Sequence, residues 1–152
     1  MNPRHCAYVM LFAVAACTNG GIPTSSNGGG SGTTIDINLT LYQPTKTPYG
    51  ESGGYSPPIT TVAVGSQIHF VNTDSFAHTA TEILNASQFP SGSPFNIADL
   101  KQFGTSFSSG FSSGALQPGS SSQNLTVDQP GTYLFGCFFH YGAPMRAAVV
   151  AQ

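Results

Sequence analysis

The chain has 152 residues, a length suited to one domain, and only 7% of them are charged, against roughly a quarter in an average soluble protein. A formal net charge of −2 excludes a basic face for nucleic acid and an acidic tail. With 18 Gly and 11 Pro beside abundant Ser and Thr, the composition favours short strands and turns over long helices.

Arg4 and His5 open a short polar segment, and "AYVMLFAVAA" (7–16) is an apolar run of ten residues. Spanning a bilayer needs roughly 20, so the run reads as a secretory signal. It ends in "VAAC", and these small residues before Cys17 resemble a bacterial lipobox. That resemblance implies a signal peptide over 1–16 and a lipid on Cys17. It also implies export to the periplasmic side, anchored to a bacterial membrane through the lipid only. Thr18 after the cysteine favours the outer membrane over the inner. Removing 1–16 leaves three bases (Lys46, Lys101, Arg146) against six acids, and leaves Cys137 as the single thiol without acylation. A lone thiol cannot form an internal disulfide, so it must be inert, reactive or bound to something. "TNGGIPTSSNGGGSGT" (18–33) has almost nothing to bury and completes, with Cys17, a flexible linker over 17–33.

The folded domain is expected over 34–152. "TIDINLTLY" (34–42) alternates, with Ile35, Ile37, Leu39 and Leu41 on one face. "ITTVAV" (59–64), "SQIHFVN" (66–72), "HTATEI" (78–83), "SQNLTV" (122–127), "GTYLFGCF" (131–138) and "RAAVVA" (146–151) follow, punctuated by Gly, Pro, Asn and Asp. Seven to eight such strands imply an all-β, Greek-key sandwich. A short helix is expected near 94–103, capped by Ser93, ended by Gly104 and facing inward through Ile97 and Leu100. It interrupts a long excursion over 84–115.

The densest chemistry is "CFFHYGAPM" (137–145). On a strand through 131–138, Tyr133, Phe135 and Cys137 share one face, so Cys137 ends the strand on the core side. Tyr141-Gly142-Ala143-Pro144 then turns the chain, and Met145 opens the last strand. Thiolate, imidazole and thioether from one tight loop suit copper cycling between Cu(I) and Cu(II), held by two His and one Cys in a plane with a long axial Met. The second histidine is His69 or His78. His69 lies between Ile68 and Phe70, which take the core face, and so points outward; His78 stands at a strand start beside a turn. His78 is therefore the expected fourth ligand. Taken singly, Met145 could be a core filler and Cys137 an inert buried thiol.

"Cys-x2-His-x4-Met" after "PGTYLFGC" (130–137), with "N-x-D-x3-HT" (72–79) upstream, resembles the plastocyanin/pseudoazurin type of cupredoxin over most of 58–152. The resemblance implies a type 1 (blue) copper site with His78, Cys137 and His140 as equatorial ligands and Met145 as the axial one. It implies that the Thr79 backbone N–H bonds the ligand sulfur, and that the His140 ring edge reaches the surface and passes electrons. The chain departs from the family pattern in Phe138 and Phe139 after the cysteine, in Ala77 before His78 and in the length of the excursion.

The function expected is a one-electron carrier without substrate chemistry of its own, a monomer working between redox proteins such as cytochromes or a copper oxidase or reductase. Phe138, Phe139, Tyr141 and Pro144 would form its apolar docking patch. The alternative is a periplasmic copper chaperone or store, which would favour exposed Met and His clusters. A catalytic copper domain would need further histidines, and only His69 is left over.

Overall fold

The computed structural model describes residues 32–152, so the signal peptide over 1–16, lipidation at Cys17 and nearly all of the linker lie outside the described residues. Twelve short strands follow in chain order: β1 (Thr33–Ile37), β2 (Thr45–Thr47), β3 (Gly50–Ser52), β4 (Tyr55–Ser56), β5 (Ile59–Val62), β6 (Gln67–Asn72), β7 (Thr81–Ile83), β8 (Gln102–Phe103), β9 (Ser112–Ser113), β10 (Leu125–Thr126), β11 (Gly131–Gly136) and β12 (Arg146–Ala151). One sheet has the order β10-β6-β1-β4 and the other β5-β12-β11-β7-β9-β8, while β2 and β3 form a separate hairpin. β1 runs parallel to β6 and β5 parallel to β12; the other strand pairs are antiparallel.

Period-two patterning decides which side chains fill the space between the sheets. In β6, Ile68, Phe70 and Asn72 are buried while Gln67, His69 and Val71 face away. Ile68 and Phe70 meet Ile35 and Ile37 of β1, Tyr55 of β4, Phe135 of β11 and Ala147 and Val149 of β12 in one buried cluster. Phe70 is the hub, its ring centroid 5.2 Å from Phe135, 5.9 Å from Phe111 and 6.2 Å from Tyr55. These tilted and edge-on pairs contribute about 0.5–1.5 kcal/mol each beyond burial.

The opposite face of the larger sheet carries a second cluster, built from Ile83, Leu134 and Ala148 and covered by Ala86, Phe89 and Phe95 of the excursion. Tyr141 is wedged into it. Its hydroxyl donates to the Pro90 carbonyl (2.9 Å), Phe95 meets its ring edge-on (5.6 Å), and the Arg146 guanidinium lies 4.2 Å from its ring centroid. Gly136 makes room, because a Cβ there would lie 2.8 Å from the Tyr141 ring. Tyr141 is thus buried and takes no part in the surface patch expected of it.

Two local expectations change. Strand β1 stops at Ile37, where alternation predicts continuation to Tyr42, and Leu41 is 65% exposed. The Asn38 side chain accepts the Leu41 N–H (2.9 Å) and the Thr40 hydroxyl (3.0 Å), which turns the chain in preference to extending it. The helix near 94–103 is one 3₁₀ turn, Ile97–Leu100, capped by Asn96 rather than Ser93. Asn96 Oδ1 accepts the Ala98 N–H and Asp99 Oδ2 accepts the Asn96 N–H, a capping box that begins three residues past the expected cap. Lys101 is already extended and Gln102–Phe103 pairs with β9, so Ile97 is left 75% exposed.

Glu82 sits opposite Phe135 on β7 and its Oε2 has no partner. Burial, aided by the Asp128 charge, pushes its carboxyl up to about 7. The unfolded chain ionises Glu82 near 4.5, so its contribution to stability is full below that pH and is lost as pH rises to about 7. Glu82→Gln should flatten this part of the profile, read as melting temperature against pH for the variant and the parent. Tyr141→Ala should lower the unfolding free energy by about 3–5 kcal/mol and Tyr141→Phe by about 1 kcal/mol, measured by denaturant titration.

Candidate metal centre

Three segments converge at one end of the sandwich. The first carries His78, whose N–H donates to the Leu116 carbonyl (3.1 Å) and whose carbonyl accepts the Leu116 N–H (2.8 Å). The second is the end of β11, where the chain passes through Cys137. The third is the turn into β12, which closes on itself: Cys137 N–H donates to Met145 O (3.1 Å), while Ala143 and Met145 N–H donate to His140 O (2.9 and 3.3 Å). Met145 therefore precedes β12 instead of opening it, and bridges to Gly53. His78, Cys137 and Met145 are fully buried and His140 is half-buried.

The donor atoms of His78, Cys137 and His140 lie within 4.8 Å of one another. Cys137 Sγ is 3.7 Å from Nδ1 of both His78 and His140. Both nitrogens are within hydrogen-bonding reach of the sulfur, and the two separations are also those of a shared metal ion. A trigonal plane with metal–N about 2.0 Å and metal–S about 2.3 Å separates nitrogen from sulfur by about 3.7 Å. Those two separations match such an ion, and the three donors are grouped closely enough to share one. Met145 shares the buried cluster of Cys137, and glycine at 54, with φ +71, leaves it room; a Cβ there would lie 2.5 Å from Met145 Cγ.

Protonation agrees with ligation. Burial pushes the ring of His78 down, which the bond to Asp74 only partly restores; burial likewise lowers His140, against a smaller opposing effect of Asp74. Both rings are thus neutral near pH 7, as ligands must be. Burial pushes the Cys137 thiol up, and the N–H groups of Thr79, His140 and Phe139 offset part of that. Thr79 N–H donates to Cys137 Sγ at 3.4 Å, the contact the resemblance implies. Thr79 is itself fixed: its carbonyl accepts the Tyr55 hydroxyl (2.6 Å) and its Oγ1 accepts the Phe138 N–H (2.8 Å).

The sequence reasoning missed Asp74. It lies inside the quoted "N-x-D-x3-HT", four residues before His78, and that spacing was the available signal. Asp74 Oδ2 is 3.1 Å from His78 Nε2, with both side chains buried. Burial pushes the Asp74 carboxyl up, but the Ser75 N–H, the His78 ring and the Leu39 N–H together outweigh it and hold the group below its usual range. His69 stands apart on the outer side of β6, its Nε2 3.0 Å from Thr34 Oγ1.

Around His140 the surface is apolar. Phe76 is 38% exposed with its ring 5.3 Å from His140, and Phe139 is 44% exposed at 6.2 Å. Phe138, half-buried, meets Phe139 edge-on at 5.4 Å. Phe76, which the sequence reading did not single out, takes the place on this face that Tyr141 was expected to occupy.

Comparison with solved structures agrees with this architecture. A Cu(I) form of a mutant amicyanin superposes with a TM-score of 0.51 at 15% identity, covering 84% of this chain and 88% of that one. A purple cupredoxin from Nitrosopumilus maritimus gives 0.48 at 20% identity, covering 79% of this chain and 99% of that one. Auracyanin from the photosynthetic bacterium Roseiflexus castenholzii gives 0.47 at 20% identity, covering 82% and 99%. At 15% identity the amicyanin likeness shows the fold, a cupredoxin sandwich. No curated protein matches the chain at a significant level. The family model for copper binding proteins of the plastocyanin/azurin type matches residues 50–152, more than half of the sequence, and the chain therefore belongs to the plastocyanin/azurin family of copper-binding proteins.

Proposed function

We propose that the protein is a type 1 copper protein that carries single electrons between redox partners, with His78, Cys137, His140 and Met145 as the residues that would hold the ion. The observation that carries this reading is the pair of equal 3.7 Å separations from Cys137 Sγ to two neutral imidazole nitrogens, beside a buried thioether. When bound, copper supplies a one-electron couple that soft sulfur and borderline imidazole donors support in both oxidation states. The residues of this chain do the rest. Backbone bonds across 137–145 and the anchored Thr79 hold the donors in place, so little has to move when the charge changes.

His140 is the half-buried member of the set, and Phe76 and Phe139 give it a dry rim. That geometry suits brief docking of a redox protein over the His140 edge, because electron-transfer encounters use small interfaces. A carrier rather than an enzyme is favoured by the placement of His69, which bonds Thr34 on the outer side of β6 and is not set to hold a second ion. Export to the periplasmic side and a lipid anchor on Cys17 complete the proposal; they rest on the signal-like run at 7–16 and the small residues before Cys17.

Addition of Cu(II) to the purified protein should produce an intense thiolate-to-copper absorption band that is lost on reduction, returns on oxidation and is missing from Cys137→Ser. A colourless protein that takes up Cu(I) alone would overturn the carrier reading in favour of copper storage or delivery. Replacing both rim residues, Phe76→Ser with Phe139→Ser, should leave that band in place and slow electron self-exchange by roughly tenfold, about 1.4 kcal/mol of barrier. An unchanged exchange rate would remove the rim from the docking surface.

A further inference from the structure

We infer that Asp74 is a positioning residue that fixes the ligating face of His78 and weights the centre toward its oxidised state. The inference rests on the copper reading above, and its basis is a closed network of buried polar groups. Asp74 has a side chain only 3% exposed, yet each of its oxygens accepts a backbone N–H. Oδ2 takes the Leu39 N–H (2.8 Å) and lies 3.1 Å from His78 Nε2; Oδ1 takes the Ser75 N–H (2.8 Å). With a fixed donor on each oxygen, the carboxyl is satisfied as the anion.

The anion determines where the His78 proton lies. A carboxylate can only accept, so the proton between the two side chains belongs to His78 Nε2. A neutral imidazole has one N–H, which leaves the Nδ1 lone pair toward Cys137 Sγ, 3.7 Å away. The ring cannot readily turn. Asp74 N–H donates to Asn72 Oδ1 (2.9 Å), and Asn72 Nδ2 donates to the carbonyls of Phe76 and Leu116 (2.9 Å each). Leu116 is in turn bonded twice to the His78 backbone. Asn72, Asp74, His78 and Leu116 thus form one loop of contacts in which each group locates the next.

The second consequence concerns charge. Cys137 as thiolate and Asp74 as carboxylate bring two negative charges to a buried region. Against them a divalent copper ion leaves the region neutral, and a monovalent one leaves it at −1. Net charge in a poorly solvated interior is costly, so the Asp74 carboxylate favours Cu(II) and lowers the reduction potential. Asp74 is the acid that touches a candidate ligand; the half-buried Glu82 lies on β7 with an unpartnered oxygen.

Asp74→Asn is the decisive variant, because asparagine keeps the shape and a carbonyl acceptor for Nε2–H while removing the charge. In redox titration of the copper-loaded full chain, it should keep the absorption band and weaken Cu(II) relative to Cu(I) by roughly tenfold, an upward shift of 59 mV for a one-electron couple. Asp74→Ala should in addition weaken copper binding by roughly 10–100-fold. Nitrogen NMR of the metal-free parent should find the His78 proton on Nε2, a readout that does not depend on either variant folding. A proton on Nδ1, or an unchanged or lowered potential in Asp74→Asn with the band intact, would overturn the inference and leave the copper reading standing. Failure of the parent to develop the band would overturn the copper reading itself.

Discussion

The bond from Cys137 N–H to Met145 O, 3.1 Å long, is the contact on which the centre depends. Nine residues leave the sandwich at Cys137 and return at Met145, and this bond pinches the two ends together. Both sulfur side chains then enter the same buried cluster, while His140 is carried to the rim on the turn between them. Without the pinch, a thiolate and a thioether eight positions apart have no reason to share one point. Everything else at the site refines a geometry that this closure creates.

The refinements come from both layers. The smaller sheet supplies Tyr55, whose hydroxyl holds the Thr79 carbonyl, and so positions the N–H that reaches Cys137 Sγ. The glycine before Tyr55 admits Met145. The end of β6 supplies Asn72 and the turn after it Asp74, which orient His78. Phe138 is anchored through its backbone N–H to Thr79 Oγ1, which leaves Phe139 turned outward beside His140. The two phenylalanines that depart from the family pattern thereby divide their roles: one packs partly inside, the other lines the rim.

The sandwich and its donor-bearing positions, His78, Cys137, His140 and Met145, were legible because they rest on short-range rules. Period-two alternation in β6 and β11 assigns the inward faces of Phe70, Phe135 and Cys137 correctly, and the same alternation turns His69 outward. What was not legible depends on long-range pairing or on competition between local options. Leu41 continues a perfect alternation but is diverted by Asn38, whose side chain offers the backbone a turn. The register of Gln102–Phe103 against β9 shortens the expected helix, and no local signal announces a partner ten residues away. Tyr141 looked like a surface residue because its neighbours are turn-formers; its burial is decided by Pro90 and Phe95, both distant from it in the sequence. Asp74 carried a spacing signal and was passed over because acids in turns commonly serve the backbone, which this one also does.

The wedge of Tyr141 between the ligand loop and the excursion has a consequence for how such a centre can be moved or inherited. Within Cys-x2-His-x4-Met, Tyr141 is the residue immediately after a donor, yet its hydroxyl, ring edge and ring face are all claimed from outside the loop, by Pro90, Phe95 and Arg146. Transplanting residues 137–145 alone onto another sandwich would deliver the donors with their footing removed. The loop and the segment around Phe89–Phe95 are one module written in two places, and a working transplant has to carry both.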